Sequence, residues 1–199
     1  EYQVEGSSSV SRLDGKMLFV KVSNGKELIK VDSAEVIHGL FRMEGKLDST
    51  VMASLYMDDQ NIMPLVMEKG KIQIKIDNTC ITATGTPLNN KLYEFVARKN
   101  ALDDRAYEIE RMESRMIMDG KPFSEVEQEI AKERANLSDE FDKLVKEFVQ
   151  NNYENVLGPA IFQMMSNGYT SPKITPLMEQ ILKEAPESFR SHMMVRSLV

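Results

Sequence analysis

Between Tyr2 and Gly85 the apolar residues alternate with polar ones in short runs: "YQVEG", "MLFVKV", "LIKVDSAEV", "LFRMEGK", "VMASLYM", "IMPLVM", "KIQIKI" and "CITATG". A period of two puts neighbouring side chains on opposite faces, so these eight runs predict short, successive antiparallel strands. The clearest pair is "IMPLVM" and "KIQIKI". There Lys69-Gly70 supplies turn residues, and Ile72, Ile74 and Ile76 share one face, which predicts a hairpin. Pro64 inside its run predicts an edge strand or a bulge. Eight strands at this spacing predict an antiparallel β-sandwich or curled sheet over residues 1–86.

After Pro87 the period changes to three and four. Leu88, Leu92, Phe95, Val96, Leu102, Ala106, Ile109, Met112 and Met116 fall on one stripe of a long helix. "MDGKPFSEVE" interrupts it at Gly120 and Pro122, and Ser124 with Glu127 has the spacing of a capping box for a second helix. Ile130, Leu137, Phe141, Leu144, Val145, Phe148 and Val149 continue the stripe, so a helical hairpin is predicted over about 88–150. Shorter helices follow at about 153–167, at 176–184 with Thr175 as cap and Pro176 in the first turn, and at about 187–197. Strands followed by helices, residues 1–86 then 87–199, predict an α+β fold rather than βαβ units.

A composition of 42% hydrophobic and 28% charged residues agrees with a folded chain. The net charge of −6 is shared between both parts: twelve acids against ten bases before Leu88, and nineteen against fifteen from there on. Such a balance offers no basic surface for nucleic acid or anionic lipid. No run of eighteen apolar residues occurs, so no transmembrane helix is expected. Because the chain opens on Glu1, a leader is expected to have been removed.

Candidate chemistry is sparse. Cys80 is the one cysteine, so the chain has no Cys-x-x-Cys pair, and His38 and His192 lie in no nucleophile motif. Cys80 opens a strand, where a thiol commonly serves as a small buried apolar group. "GTPLNNK" follows a strand and opens a helix, yet it lacks the Gly-x-x-x-x-Gly-Lys-Ser/Thr frame that encircles phosphates. Gly85 is read as the turn, Thr86 or a neighbour as the cap, and Pro87 as the first helical residue. Asp58, Asp59 and Asn61 form a solvated turn rather than a calcium loop. Met43, Met52, Met57, Met63 and Met67 fall in strands and are read as core filling, with a methionine-lined groove as the functional alternative. From Asp103 to Glu147 fourteen acids face eight bases, a solvated helix surface on which Asp142–Lys146 and Glu108–Arg111 have pairing distance in sequence. No catalytic residue, metal ligand or cofactor-binding residue is assigned, and no cofactor is expected.

The succession "GKELIKVDSAEVIHGLFRMEGKLDS", "PLVMEKGKIQIKID" and "ATGTPLNNKLYEF" resembles the DUF4369 family, the N-terminal domain of bacterial envelope thiol-disulfide interchange proteins. The resemblance rests on Ser33, Val36, Gly39, Phe41 and Gly45, then Glu68, Gly70, Ile72 and Ile74, then Gly85, Thr86 and Asn89. "APESFRSHMMVRSL" is similar to the helical segment that leads into the family's thioredoxin-like domain. These motif positions are turns and core residues, so the resemblance implies architecture, with Gly39, Phe41, Gly45, Glu68, Gly70, Gly85, Thr86 and Asn89 as structural positions. It further implies a non-catalytic recognition or accessory module whose partner is a C-terminal thioredoxin-like domain or another envelope protein. The implied location is the periplasm, or the outer membrane through a lipid anchor, of a Gram-negative bacterium. The alternative function is a self-standing envelope protein that binds a ligand in a groove between sheet and helices.

Overall fold

The computed structural model describes residues 1–166 and 174–198. Eight strands come first: β1 (Tyr2–Ser8), β2 (Met17–Ser23), β3 (Leu28–Glu35), β4 (Leu40–Gly45), β5 (Val51–Met57), β6 (Gln60–Met67), β7 (Gly70–Ile76) and β8 (Ile81–Thr84). Among the described residues six helices follow: α1 (Pro87–Met118), α2 (Phe123–Asn151), α3 (Leu157–Ser166), α4 (Pro176–Lys183), α5 (Glu187–Arg190) and α6 (Met193–Arg196). The α+β fold expected from the change of period is the fold observed.

The strands form two four-stranded sheets, in the orders β4-β1-β7-β8 and β3-β2-β5-β6. Alternation decides which faces meet: Val4, Leu18, Val20, Met43, Leu55, Met63, Leu65, Ile72, Ile74 and Ile76 are all buried in one core. Tyr2 on β1 donates its hydroxyl hydrogen bond to Asp32 Oδ2 on β3 at 2.6 Å, tying the two sheets together. Burial, then this bond and the carboxylate charge, raise the tyrosine pKa.

Two pairings differ from expectation. β6 and β7 do not form a hairpin: β6 closes one sheet, whereas β7 pairs parallel with β1 from Tyr2↔Gly70 to Ser8↔Ile76 in the other. Lys69-Gly70 is thus a corner between sheets, with Gly70 at φ +113° and its amide bonded to the Glu1 carbonyl. Second, the β1–β7 pair is parallel, whereas all the other pairs are antiparallel. A parallel partner is open to β1 because more than sixty residues separate the two strands and no tight turn dictates their direction. Pro64 does sit on an edge strand, opposite Ser54.

Along α1, Leu92 and Phe95 join the main core, as do Val145 and Val149 of α2, with Phe95 and Phe148 rings 4.5 Å apart. Farther out the hairpin has a separate small core of Ile109, Met116, Val126 and Ile130. Ala106, placed on the stripe by its spacing, is exposed. The ion pairs of the hairpin are Lys99–Asp103 at 3.1 Å, Arg134–Glu113 at 3.9 Å and Arg105–Glu140, in place of the two pairs read from spacing. The Ser124 capping box does not form, because α2 starts at Phe123 with Pro122 in the cap position. Thr175 does cap α4, accepting from the Met178 amide at 3.2 Å. The last predicted helix is two, because His192 turns the chain and its Nδ1 accepts from the Met194 amide. The predicted end of the helix at residue 167 lies outside the described residues.

Candidate functional site

The motif residues collect in two places. On β4, Phe41 stands opposite Gly6, and a Cβ on Gly6 would lie 2.0 Å from the Phe41 ring, so glycine is what lets the ring cover β1. Gly45 stands opposite Tyr2 with the tyrosine oxygen 2.8 Å from where its Cβ would be. Gly39, at φ +76°, passes beside the Ser8 carbonyl and donates its amide hydrogen bond to Asp14 Oδ1. These three residues shape the β4–β1 contact.

The second group joins sheet to helix. Pro87 fits the first helical position because it has no amide hydrogen to leave unpaired. The next two amides, Leu88 and Asn89, would ordinarily seek the cap residue, but the Thr86 side chain makes no such bond. Glu68 at the end of β6 takes its place: Oε2 accepts from both amides at 3.0 Å. A carboxylate here faces the positive end of a 32-residue helix, which stabilises it although Glu68 is buried. Thr86 Oγ1 instead accepts from Asn89 Nδ2 at 2.9 Å.

Asn89, wholly buried, imitates a strand. Its Oδ1 accepts from the Val66 amide and its Nδ2 donates to the Val66 carbonyl, both at 2.8 Å. One helical turn on, the Tyr93 hydroxyl donates to the Pro64 carbonyl at 2.6 Å. Burial raises the Tyr93 pKa, which keeps the phenol protonated as a donor. Two side chains of α1 thus occupy the free edge of β6 at alternate residues, the positions whose main-chain groups point away from β5.

Beyond Tyr93 this arrangement stops. Ala97, the next residue of the row, is too short to reach β6, and a groove of about 380 Å³ opens between β6, β8 and α1. Met63, Pro64, Ile81, Tyr93 and Val96 form its apolar lining. Asp77, Asn78, Thr79 and Asn100 supply polar atoms at its rim. A smaller space of about 170 Å³ continues it, sharing Ile62, Asp77, Asn78 and Ile81. The methionine reading is resolved residue by residue: Met43, Met63 and Met67 are core, Met52 and Met57 pack against it, and Met63 also reaches the groove. A larger depression of about 550 Å³ lies at the ends of β1, β4 and β7, lined by Glu1, Glu44, Lys46 and Lys71 beside Gly45 and Gly70.

Cys80 is exposed at the groove's rim, one residue before β8, and not buried in a strand. The turn that holds it, with the Asp77 amide bonded to the Cys80 carbonyl at 2.8 Å, turns residues 77–80 to solvent. A thiol reagent is therefore expected to modify Cys80 in the native protein without denaturant. Labelling that begins only at the unfolding transition would contradict this placement.

Neither His38 nor His192 lines this thiol's groove. Asp58 and Asp59 form the exposed β5–β6 turn, and among the described residues no cluster of three metal-ligating side chains occurs. No described helix is long and apolar enough to cross a membrane. The Glu68–Asn89 joint had a partial signal in the sequence, since both residues carry the family resemblance. The role of Tyr93 had none.

No match was found among curated proteins or among solved structures. Residues 2–92 match the family model described as "Domain of unknown function (DUF4369)", which supports placing the β-rich segment, with the joint that leads into α1, in that domain family.

Proposed function

We infer that this chain is a recognition or positioning module of a cell-envelope thiol-disulfide interchange protein, without catalysis of its own. One observation carries the reading. The Glu68–Asn89 joint fixes α1 to the strands, and the hairpin beyond it has its own small core and ends in exposed Ile117, Met118 and Phe123. Met118 and Phe123, at 85% and 75%, are the most exposed large apolar side chains among the described residues, and with Ile117 they sit together at one tip. Presentation of this tip to a thioredoxin-like domain accounts for it, and the family resemblance supplies that partner and the envelope location.

The test is photo-cross-linking in a Gram-negative host, with a photoreactive residue at position 118 or 123. Adducts with an envelope domain that contains Cys-x-x-Cys are expected. Adducts with cytoplasmic proteins alone, or no adduct from either position, would sink the reading.

A second reading, a self-standing protein that binds a ligand between sheet and helices, is favoured by the groove beside Met63 and Tyr93.

A further inference from the structure

We propose that the groove between β6, β8 and α1 binds an extended peptide carrying a lysine or arginine, which adds a short strand to the free edge of β6. The inference deepens the recognition reading above but depends on neither a redox partner nor an envelope location.

The first argument is the state of the two sheets at this side of the molecule. Each sheet ends here, one on β6 and the other on β8, and the two edges are not paired with each other. Strand edges present main-chain donors and acceptors, and extended peptides are the occupants that satisfy them in series. In this protein α1 already serves part of the edge. Asn89 takes both main-chain groups of Val66, and Tyr93 takes the carbonyl of Pro64. Two residues farther along β6 comes Ile62, and one turn farther along α1 comes Ala97, whose methyl group offers no hydrogen bond. The groove begins where the side-chain substitutes for a strand end.

The second argument is local. The register of β5 against β6 passes from Leu55↔Met63 to Tyr56↔Asn61, so Ile62 has no partner on β5. Such a bulge turns the main chain of an edge strand away from its neighbour. The opening between β6 and β8 suits a segment about as long as β8, whose four residues span roughly 13 Å at 3.3 Å each.

Charge selects the side chain. Asp77 is the one charged residue among the described residues lining the main groove; Arg12, in the smaller space that continues it, donates to Gln60 Oε1 at 3.3 Å. Its Oδ1 accepts from Ser9 Oγ at 2.9 Å, which orients the carboxylate without neutralising it. A lysine or arginine of the peptide is its complement, and an acidic peptide is disfavoured. The apolar walls formed by Ile62, Pro64, Ile81 and Val96 receive the aliphatic part of the bound segment.

The test uses the full chain, labelled with nitrogen-15, and three capped peptides. The first has the sequence Val-Thr-Lys-Val-Thr, the second has Glu in place of Lys, and the third has Pro in place of the second Val. Saturable shifts confined to residues around Ile62, Ile81 and Ala97 are expected with the first peptide, with a dissociation constant on the order of 1 mM. The Asp77→Asn variant is expected to weaken that binding about two- to fivefold, the range of an exposed ion pair. Ala97→Trp, an exposed helix position, fills the groove and is expected to abolish binding while leaving the unfolding temperature near that of the parent. Any of four results overturns the proposal: no saturable shift at about 10 mM peptide, equal binding of the Lys and Glu peptides, equal binding of the Pro peptide, or unchanged binding in folded Ala97→Trp. Cross-linking at the hairpin tip is independent of all four, so the two readings fail separately.

Discussion

Replacing Asn89 with alanine is expected to destabilise the protein by about 3 kcal/mol, because it leaves the buried amide and carbonyl of Val66 without partners at roughly 1–3 kcal/mol each. For a chain of this size the loss corresponds to a fall of about 6–12 °C in Tm. Glu68→Gln is the informative comparison. Its side-chain oxygen still accepts from the Leu88 and Asn89 amides, so only the charge facing the helix N-terminus is lost, about 0.3–1 kcal/mol. Urea unfolding of both variants, read at constant m, separates the strand-mimicking amide from the helix-facing charge. If Asn89→Ala loses less than Glu68→Gln, Asn89 is not the residue that holds α1 to β6.

Gly85→Ala is expected to cost about 2–4 kcal/mol, since two independent penalties meet there. The residue has φ +99°, and an added Cβ would lie 2.5 Å from the Lys71 carbonyl oxygen. That oxygen belongs to the main chain of β7 and moves only if the strand moves. Gly15→Ala isolates the conformational part: its φ is +78°, and nothing lies within 4 Å of the added carbon. About 1 kcal/mol is expected at Gly15. Thermal unfolding of the two variants side by side decides the matter, and equal losses would remove the steric part of the explanation.

The elements were legible because each announces itself through a local period. Alternation at Ile72, Ile74 and Ile76 marks β7, and three-and-four spacing from Leu92 to Met116 marks α1. Partnership is a different kind of information. Lys69-Gly70 looks like a hairpin turn because turn residues report that the chain changes direction, and a corner between sheets asks for the same residues. Thr86 looks like the cap of α1 for a similar reason, since its rival Glu68 lies eighteen residues earlier and arrives only when β6 is in place. Cys80 reads as a buried strand residue from its sequence, but the strand begins one residue after it and leaves the thiol exposed. The groove was legible only in outline: a space between sheet and helix exists, but of the five strand methionines Met63 alone lines it, and its defining feature is the shortness of Ala97, which no pattern of polarity marks.

The parallel pairing of β1 with β7 also dictates when the protein can finish folding. The sheet made of β2, β3, β5 and β6 is complete in sequence at Met67, and its pairings are largely between near neighbours. The other sheet has its first strand in the middle: β4 covers one edge of β1, and the second edge must wait for Gly70–Ile76. Contacts of such long sequence separation close slowly. As the chain emerges from the ribosome N-terminus first, Tyr2–Ser8 therefore finds one partner when Leu40–Gly45 has appeared, and it keeps its other edge open until some seventy residues have followed it.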